Sequence, residues 1–274
     1  MKQVIQYVDP FDFSAIRTVL GAVTLFLVLL VLRKPMSLVA VRQVVLLGVL
    51  QTGAFTALIQ WALVAGGAGK TAVLVYTMPF WVIPMAWWVL GERVRGLQWA
   101  AIAIAGSGLV LILQPWSMGG SAFSNLLAVA GGVTWAASAV LAKRMRRDHA
   151  FDLLALTAWQ MLFGAIALSV LAVLHPSRPI DPTPYFYGAL FFNAVFATGL
   201  AWLLWLYILQ HVSAGMAGLS ALGIPMIGVL AGWIELGEQP SSTELGGMVL
   251  IGGALALSSL WSVWQSRRVA RRLY

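Results

Sequence analysis

Residues 77–92 read TMPFWVIPMAWWVLGE, and residues 223–238 read GIPMIGVLAGWIELGE. In both stretches a Pro stands third, a Trp eleventh, and Leu-Gly-Glu closes the run. The match extends outward from there. A shift of 146 residues also carries Thr52-Gly53 onto Thr198-Gly199, Gly69 onto Gly215 and Gly106 onto Gly252. Earlier in each half, Phe11-Asp12 meets Phe151-Asp152 at a slightly different offset. Apolar sequence supplies isolated matches by chance, but not Pro and Gly-Glu pairs held at one spacing. The chain therefore reads as a duplicated unit.

Composition says what solvent the unit lives in. Of the 274 residues, 61% are hydrophobic and only 9% charged, against roughly 25% charged in a soluble domain. So few charges cannot cover a water-facing surface, whereas lipid accepts apolar side chains facing outward. The net charge of +8 does not indicate nucleic acid, because the basic residues sit between apolar runs and not on one face. Anionic lipid and the rules of insertion account for them. The absence of Cys excludes disulfides and thiolate metal sites. The first apolar run, Ser14 to Leu32, is too long for a signal-peptide core and has no small-residue cleavage site after it.

A helix needs about 20 apolar residues to cross the hydrocarbon. Nine runs qualify: Asp12–Leu32, Val41–Val64, Thr71–Leu90, Leu97–Leu113, Asn125–Ala142, Leu153–Leu174, Tyr185–Leu209, Ala214–Glu235 and Leu245–Val263. The predicted fold class is all-α, a polytopic membrane helix bundle. Short Gly- and Pro-punctuated links leave no room for a separate soluble domain. Arg33, Lys34, Arg42, Arg93, Arg95, Lys143, Arg144, Arg146, Arg147, Arg267, Arg268, Arg271 and Arg272 all fall on one side of such a bundle, 13 of the 17 basic residues. The positive-inside rule makes that side cytoplasmic, with the C-terminus on it.

The second repeat, 124–264, holds five of the runs, and the first, 1–114, holds four; residues 265–274 form a basic tail. A helix equivalent to Asn125–Ala142 is missing before Asp12, and Met1–Pro10 reads as its tail and outer loop. Either the reading frame starts further upstream, with about 20 more apolar residues as one spanning helix requires, or the protein is genuinely reduced. An odd number of helices per repeat inverts the halves in the membrane. Inverted repeats are the plan of alternating-access carriers, with the solute site at the midplane.

Asp9-Pro10 followed by Arg17, and the two P-x(11)-GE units Pro79…Gly91-Glu92 and Pro225…Gly237-Glu238, resemble the drug/metabolite transporter superfamily, EamA type. The resemblance spans nearly the whole chain. It implies ten helices in two inverted five-helix halves around a central cavity, and export of amino acids and other metabolites. This chain departs from it in lacking the first helix, which in the family helps line the cavity.

Polar groups within a bilayer are costly unless paired or facing a cavity, so they are the candidate site residues. Thr52, Thr56 and Gln60 sit four apart on one helical face. They either line a transport path or bond helix to helix, and Gln60 is favoured for the path because an amide needs more partners. Asn193 stands alone in an apolar run. Tyr76 and Thr77 precede Pro79, and Ser220 precedes Pro225. Each Pro removes a helical hydrogen bond, and interrupted helices at matching places in both halves point to a carrier site. Trp135 and Trp202 lie mid-helix, unlike the Trp residues of interfacial belts, and read either as an aromatic cavity wall or as core packing. Arg17 is the one charge well inside a helix. It is expected to anchor an outer gate by pairing with Asp12 or Asp9, or else to snorkel outward. Glu92 and Glu238 sit at helix C-termini, where the dipole disfavours an anion, so structural pairing is expected, Glu92 with Arg93 or Arg95.

No Asp or Glu lies near the middle of a predicted span, so proton coupling has no obvious carboxylate. HExxH, GxSxG and GxGD are all absent, and His149, His175 and His211 lie in separate links, so neither enzyme chemistry, nor a metal, nor a cofactor is expected. The expected function is a secondary transporter, an exporter of small polar metabolites such as amino acids across a bacterial inner membrane. Its partners are then a small-molecule metabolite and membrane lipid, with no nucleic acid. The alternative is a non-transporting assembly protein or an intramembrane enzyme.

Overall fold

The computed structural model describes residues 4–66, 74–94, 96–117, 122–175, 178–236 and 239–273. Among these there are helices and links only, with no strand. The helices are α1 (Pro10–Val31), α2 (Val41–Ala65), α3 (Met78–Leu90), α4 (Leu97–Leu113), α5 (Ala122–Asp148), α6 (Leu153–Leu174) and α7 (Pro184–His211). They are followed by α8, in two pieces (Ala214–Ala221 and Gly223–Leu236), and α9 (Ser242–Leu273). Six of them are long and apolar enough to cross a membrane alone, and the shorter α3, α4 and α8 are apolar too. The predicted bundle of nine helices is thus what the described residues form. The basic stretch after 264 continues α9 as helix up to Leu273.

Local chemistry sets the helix starts. Asp9 caps α1, its carboxylate accepting from the Phe11 N–H at 2.9 Å, and Pro10 takes the first helical position. Asp152 caps α6 in the same way, accepting from the N–H groups of Leu154 and Ala155. Both helices run 22 residues, so a shift of 143 carries one onto the other. The structural counterpart of Asp152 is therefore Asp9, which corrects the sequence pairing of Asp152 with Asp12. Cap chemistry outranks the shared Phe-Asp dipeptide.

Two irregularities recur at the 146-residue shift. Helix α2 contains one π turn, Val49–Ala54, and α7 contains another, Val195–Leu200. The helix ahead of α3 breaks at Tyr76-Thr77, and α8 breaks at Leu222. At both breaks an i→i−3 bond replaces the α-helical one, Thr77 N to Leu74 O and Leu222 N to Leu219 O. Pro79 and Pro225 stand buried just after these breaks, as their missing N–H groups require. Sequence periodicity predicts the Pro breaks. It does not reveal the π turns, because α2 and α7 are apolar on nearly every face and a change of phase leaves no mark in them.

Helices α2 and α6 approach unusually closely. A Cβ on Gly164 would lie 2.3 Å from the Thr52 Cβ, and one on Gly48 would lie 2.3 Å from the Gln160 carbonyl oxygen. Small residues allow such contact, which is how helices gain packing where lipid removes the hydrophobic drive.

Candidate functional site

The centre of the bundle is an aromatic cluster built around Trp135 of α5, which is 7% exposed. Its ring lies 5.4 Å from Phe55 of α2, 6.4 Å from Tyr76 at the break before α3, and 6.4 and 5.1 Å from Trp202 and Trp205 of α7. Phe55 and Trp202 also meet edge to face at 6.0 Å. These separations suit edge-to-face and tilted aromatic packing. Both π turns and the break ahead of α3 flank this cluster, whereas the α8 break at Leu222 packs in a separate group with Leu109 and Ile251. Phe55 directly follows one π turn, Trp202 follows the other by two residues, and Tyr76 is part of a break.

The cluster and its surroundings hold polar atoms that meet no protein partner among the described residues. These include the indole N–H groups of Trp135 and Trp205 and both amide atoms of Gln51. Gln51 is fully buried and lies one turn before Phe55, inside the α2 π turn. Gln160 on α6, also fully buried, accepts from the Thr52 hydroxyl at 3.0 Å while its Nε2 is unpartnered. Buried polar groups are normally hydrogen-bonded, and two such exceptions, Trp135 and Trp205, belong to the cluster itself.

The residues singled out from sequence separate into groups. Tyr76, Trp135 and Trp202 come together in the cluster. Thr77 abuts it, but its hydroxyl turns back to Leu74 O at 2.8 Å and accepts from Trp81 Nε1. Gln60 does not reach the cluster. It ties α2 to α1, donating to Pro10 O and to the Ser14 hydroxyl. Asn193 donates to Ala189 O one turn back in α7. Ser220, exposed, donates to Ala217 O in its own helix. Sequence reading overlooked Gln51, Phe55 and Trp205. Gln51 lies inside the α2 π turn and Phe55 directly after it, where α-helical spacing does not hold, so periodicity gives no signal for them.

Arg17 and Glu92 correct the expected pairings. Arg17 has no carboxylate partner among the described residues; its Nη1 donates to the Thr198 hydroxyl at 3.4 Å. Glu92 pairs not with Arg93 but with Lys143, Oε1 to Nζ at 3.0 Å; Arg95 and Glu238 lie outside the described residues. The cause is the turn at Gly91, whose φ of +68° ends α3 and sends Glu92 back toward the bundle. There its Oε2 accepts from the Ala214 N–H at 2.8 Å, at the start of α8. A helix N-terminus favours a carboxylate. Lys143 also donates to the Val212 carbonyl, and Arg147 donates to the Leu90 carbonyl at 2.6 Å.

These groups line the mouth of a cavity of about 420 Å³ between α3, α4, α5 and α8. Arg93, Lys143 and Arg147 share it with one carboxylate, Glu92, and Ile83 and Leu219 line its apolar part.

Comparison with known proteins follows the same lines. The sequence model of the EamA-like transporter family matches residues 1–114 and 122–260. The transporter YoaV of Bacillus subtilis is 26% identical, over 92% of this chain and 87% of that protein. A riboflavin transporter of Rhizobium johnstonii is 31% identical, over 74% of this chain and 63% of that protein. Protein PecM of Dickeya dadantii is 25% identical, over 83% of this chain and 76% of that protein. A solved crystal structure superposes with a TM-score of 0.80 at 19% identity, covering 99% of this chain and 92% of the other.

Proposed function

The chain belongs to the EamA-like transporter family, and from that premise we propose an exporter that carries small polar metabolites, amino acids among them, across a bacterial inner membrane. The observation that carries this reading is the ring cluster at Trp135, with the unpartnered indole N–H groups of Trp135 and Trp205 inside an apolar bundle. Such a centre welcomes a solute with both an apolar body and hydrogen-bonding groups. Matching π turns in the two halves support alternating access around it, because one runs directly into Phe55 and the other lies two residues before Trp202.

The cavity at the arginine-rich end is the cytoplasmic mouth in this reading, and the C-terminus lies on the same side. No buried carboxylate faces the cluster among the described residues, so exchange or facilitated export fits as well as proton coupling. The test is metabolite profiling of cells with and without the intact gene, alongside the Trp135→Ala variant at matched protein level. Selective extracellular accumulation that needs both the gene and Trp135 is expected. Unchanged extracellular pools on overexpression would exclude export. A reporter fused to the C-terminus should be active only in its cytoplasmic form.

A further inference from the structure

We propose that Arg17 anchors a carboxylate of the solute, so that the class carried is a ring-bearing organic acid. The inference rests on the carrier reading above and adds the charge and shape of the cargo. Arg17 is the eighth of the 22 residues in α1, and Thr198, which its guanidinium reaches, is the fifteenth of the 28 in α7. The side chain therefore points to the middle of a spanning helix and not back to the nearer water interface, which removes snorkelling as its explanation.

A guanidinium has five N–H donors. Here one of them makes a long contact of 3.4 Å to a neutral hydroxyl, and the Nε is shielded and unpartnered. Ion pairs among the described residues join Lys34 to Asp152 and Lys143 to Glu92, and neither involves Arg17. Of the two acids expected from sequence to serve it, Asp9 is occupied capping α1, and Asp12 forms no ion pair among the described residues. A charge held inside a bundle without a counter-ion is costly, and a planar fork of donors matches a carboxylate better than any other small group.

Position supplies the second half of the inference. Thr198 lies in the α7 π turn four residues before Trp202, and both turn toward α1: the Thr198 methyl lies beside Gly21, and Trp202 packs on the group that holds Ala22 and Leu25. Trp202 packs on Phe55 and Trp135. A carboxylate held at Arg17 thus places a ring one short linker away against the cluster. The mouth at the opposite end of the path agrees in sign: three cations and one carboxylate line it, a field that concentrates anions.

The test is equilibrium dialysis of the purified full chain against matched acid and amide pairs: phenylacetate with phenylacetamide, indole-3-acetate with indole-3-acetamide, and 2-naphthoate with 2-naphthamide. At least one acid should bind about tenfold or more tightly than its amide, the size of one charge-assisted bond. Arg17→Gln should erase that preference, Arg17→Lys should keep part of it, and Trp202→Ala should weaken acid and amide alike. Each variant is first checked for native helicity and a single size-exclusion peak. Equal binding of acid and amide by the unaltered protein, or a preference that survives Arg17→Gln, overturns the inference. If Trp202→Ala still weakens both members of a pair in that case, the aromatic site stands and only the carboxylate assignment falls. If no pair binds to folded protein, both fall together.

Discussion

Glu92 and Lys143 meet across the boundary between the two halves, carboxylate to ammonium at 3.0 Å, with 18% and 17% of their side chains exposed. The same carboxylate holds the first N–H of α8, and the same ammonium holds the carbonyl of Val212 just before it. One Gly-Glu dipeptide thus ties the end of α3, the end of α5 and the start of α8 into a single charged knot.

A double-mutant cycle on Glu92→Gln and Lys143→Met should show coupling of about 1 kcal/mol, at the upper end for pairs that are not fully buried. Thermal unfolding of the four proteins in detergent measures it. Strictly additive effects would mean that the two groups stabilise nothing jointly.

Asp152 provides a pH signature at the arginine-rich end. Desolvation opposes its ionisation, but the Ala155 N–H, the Lys34 ammonium 3.0 Å away and the Leu154 N–H together hold its carboxyl below the usual carboxylate range. A depressed value in the folded state means stability that is present above the unfolded value near 3.9 and lost as pH falls through the folded one. Asp152→Asn should therefore flatten the acid limb of a plot of melting temperature against pH. Superimposable acid limbs for the two proteins would contradict this.

Gly164→Ala should be among the most damaging small substitutions in the chain. The new methyl would sit 2.3 Å from Thr52 Cβ and 2.7 Å from the Gly48 carbonyl oxygen, so α2 and α6 must separate. A loss of about 1–3 kcal/mol follows from overpacking of this kind. Yield and melting temperature of the purified variant report it, and a value equal to that of the unaltered protein would show that the contact is soft.

Trp135→Phe separates transport from folding. The substitution removes an N–H that has no protein partner among the described residues, so the loss is mainly of ring volume, about 1–2 kcal/mol. Transport should fall several-fold while the protein stays folded. Full transport at matched protein level would remove the indole from the solute path.

Much of this molecule can be read from its residues, and the unread part has identifiable causes. Nine apolar runs predicted nine helices, because length and hydropathy act locally. The Pro-marked breaks were legible since Pro acts on its own backbone. Glu92 was assigned the wrong partner because the nearest cations in sequence, Arg93 and Arg95, lie along the chain, whereas the turn at Gly91 aims the carboxylate at another helix. Trp135 and Trp202 were identified as mid-helix aromatics. Gln51 escaped notice because the extra residue of a π turn alters which face its neighbours share.

The paired π turns carry a historical consequence. An added residue turns everything beyond it by about 100° around the axis, so gaining one alone would have swung an entire helix end out of place. Both halves carry theirs at positions 146 residues apart. The simplest history is a single insertion, fixed in an ancestral gene of half the length and copied when that gene doubled. On this account the π turns are older than the joined protein.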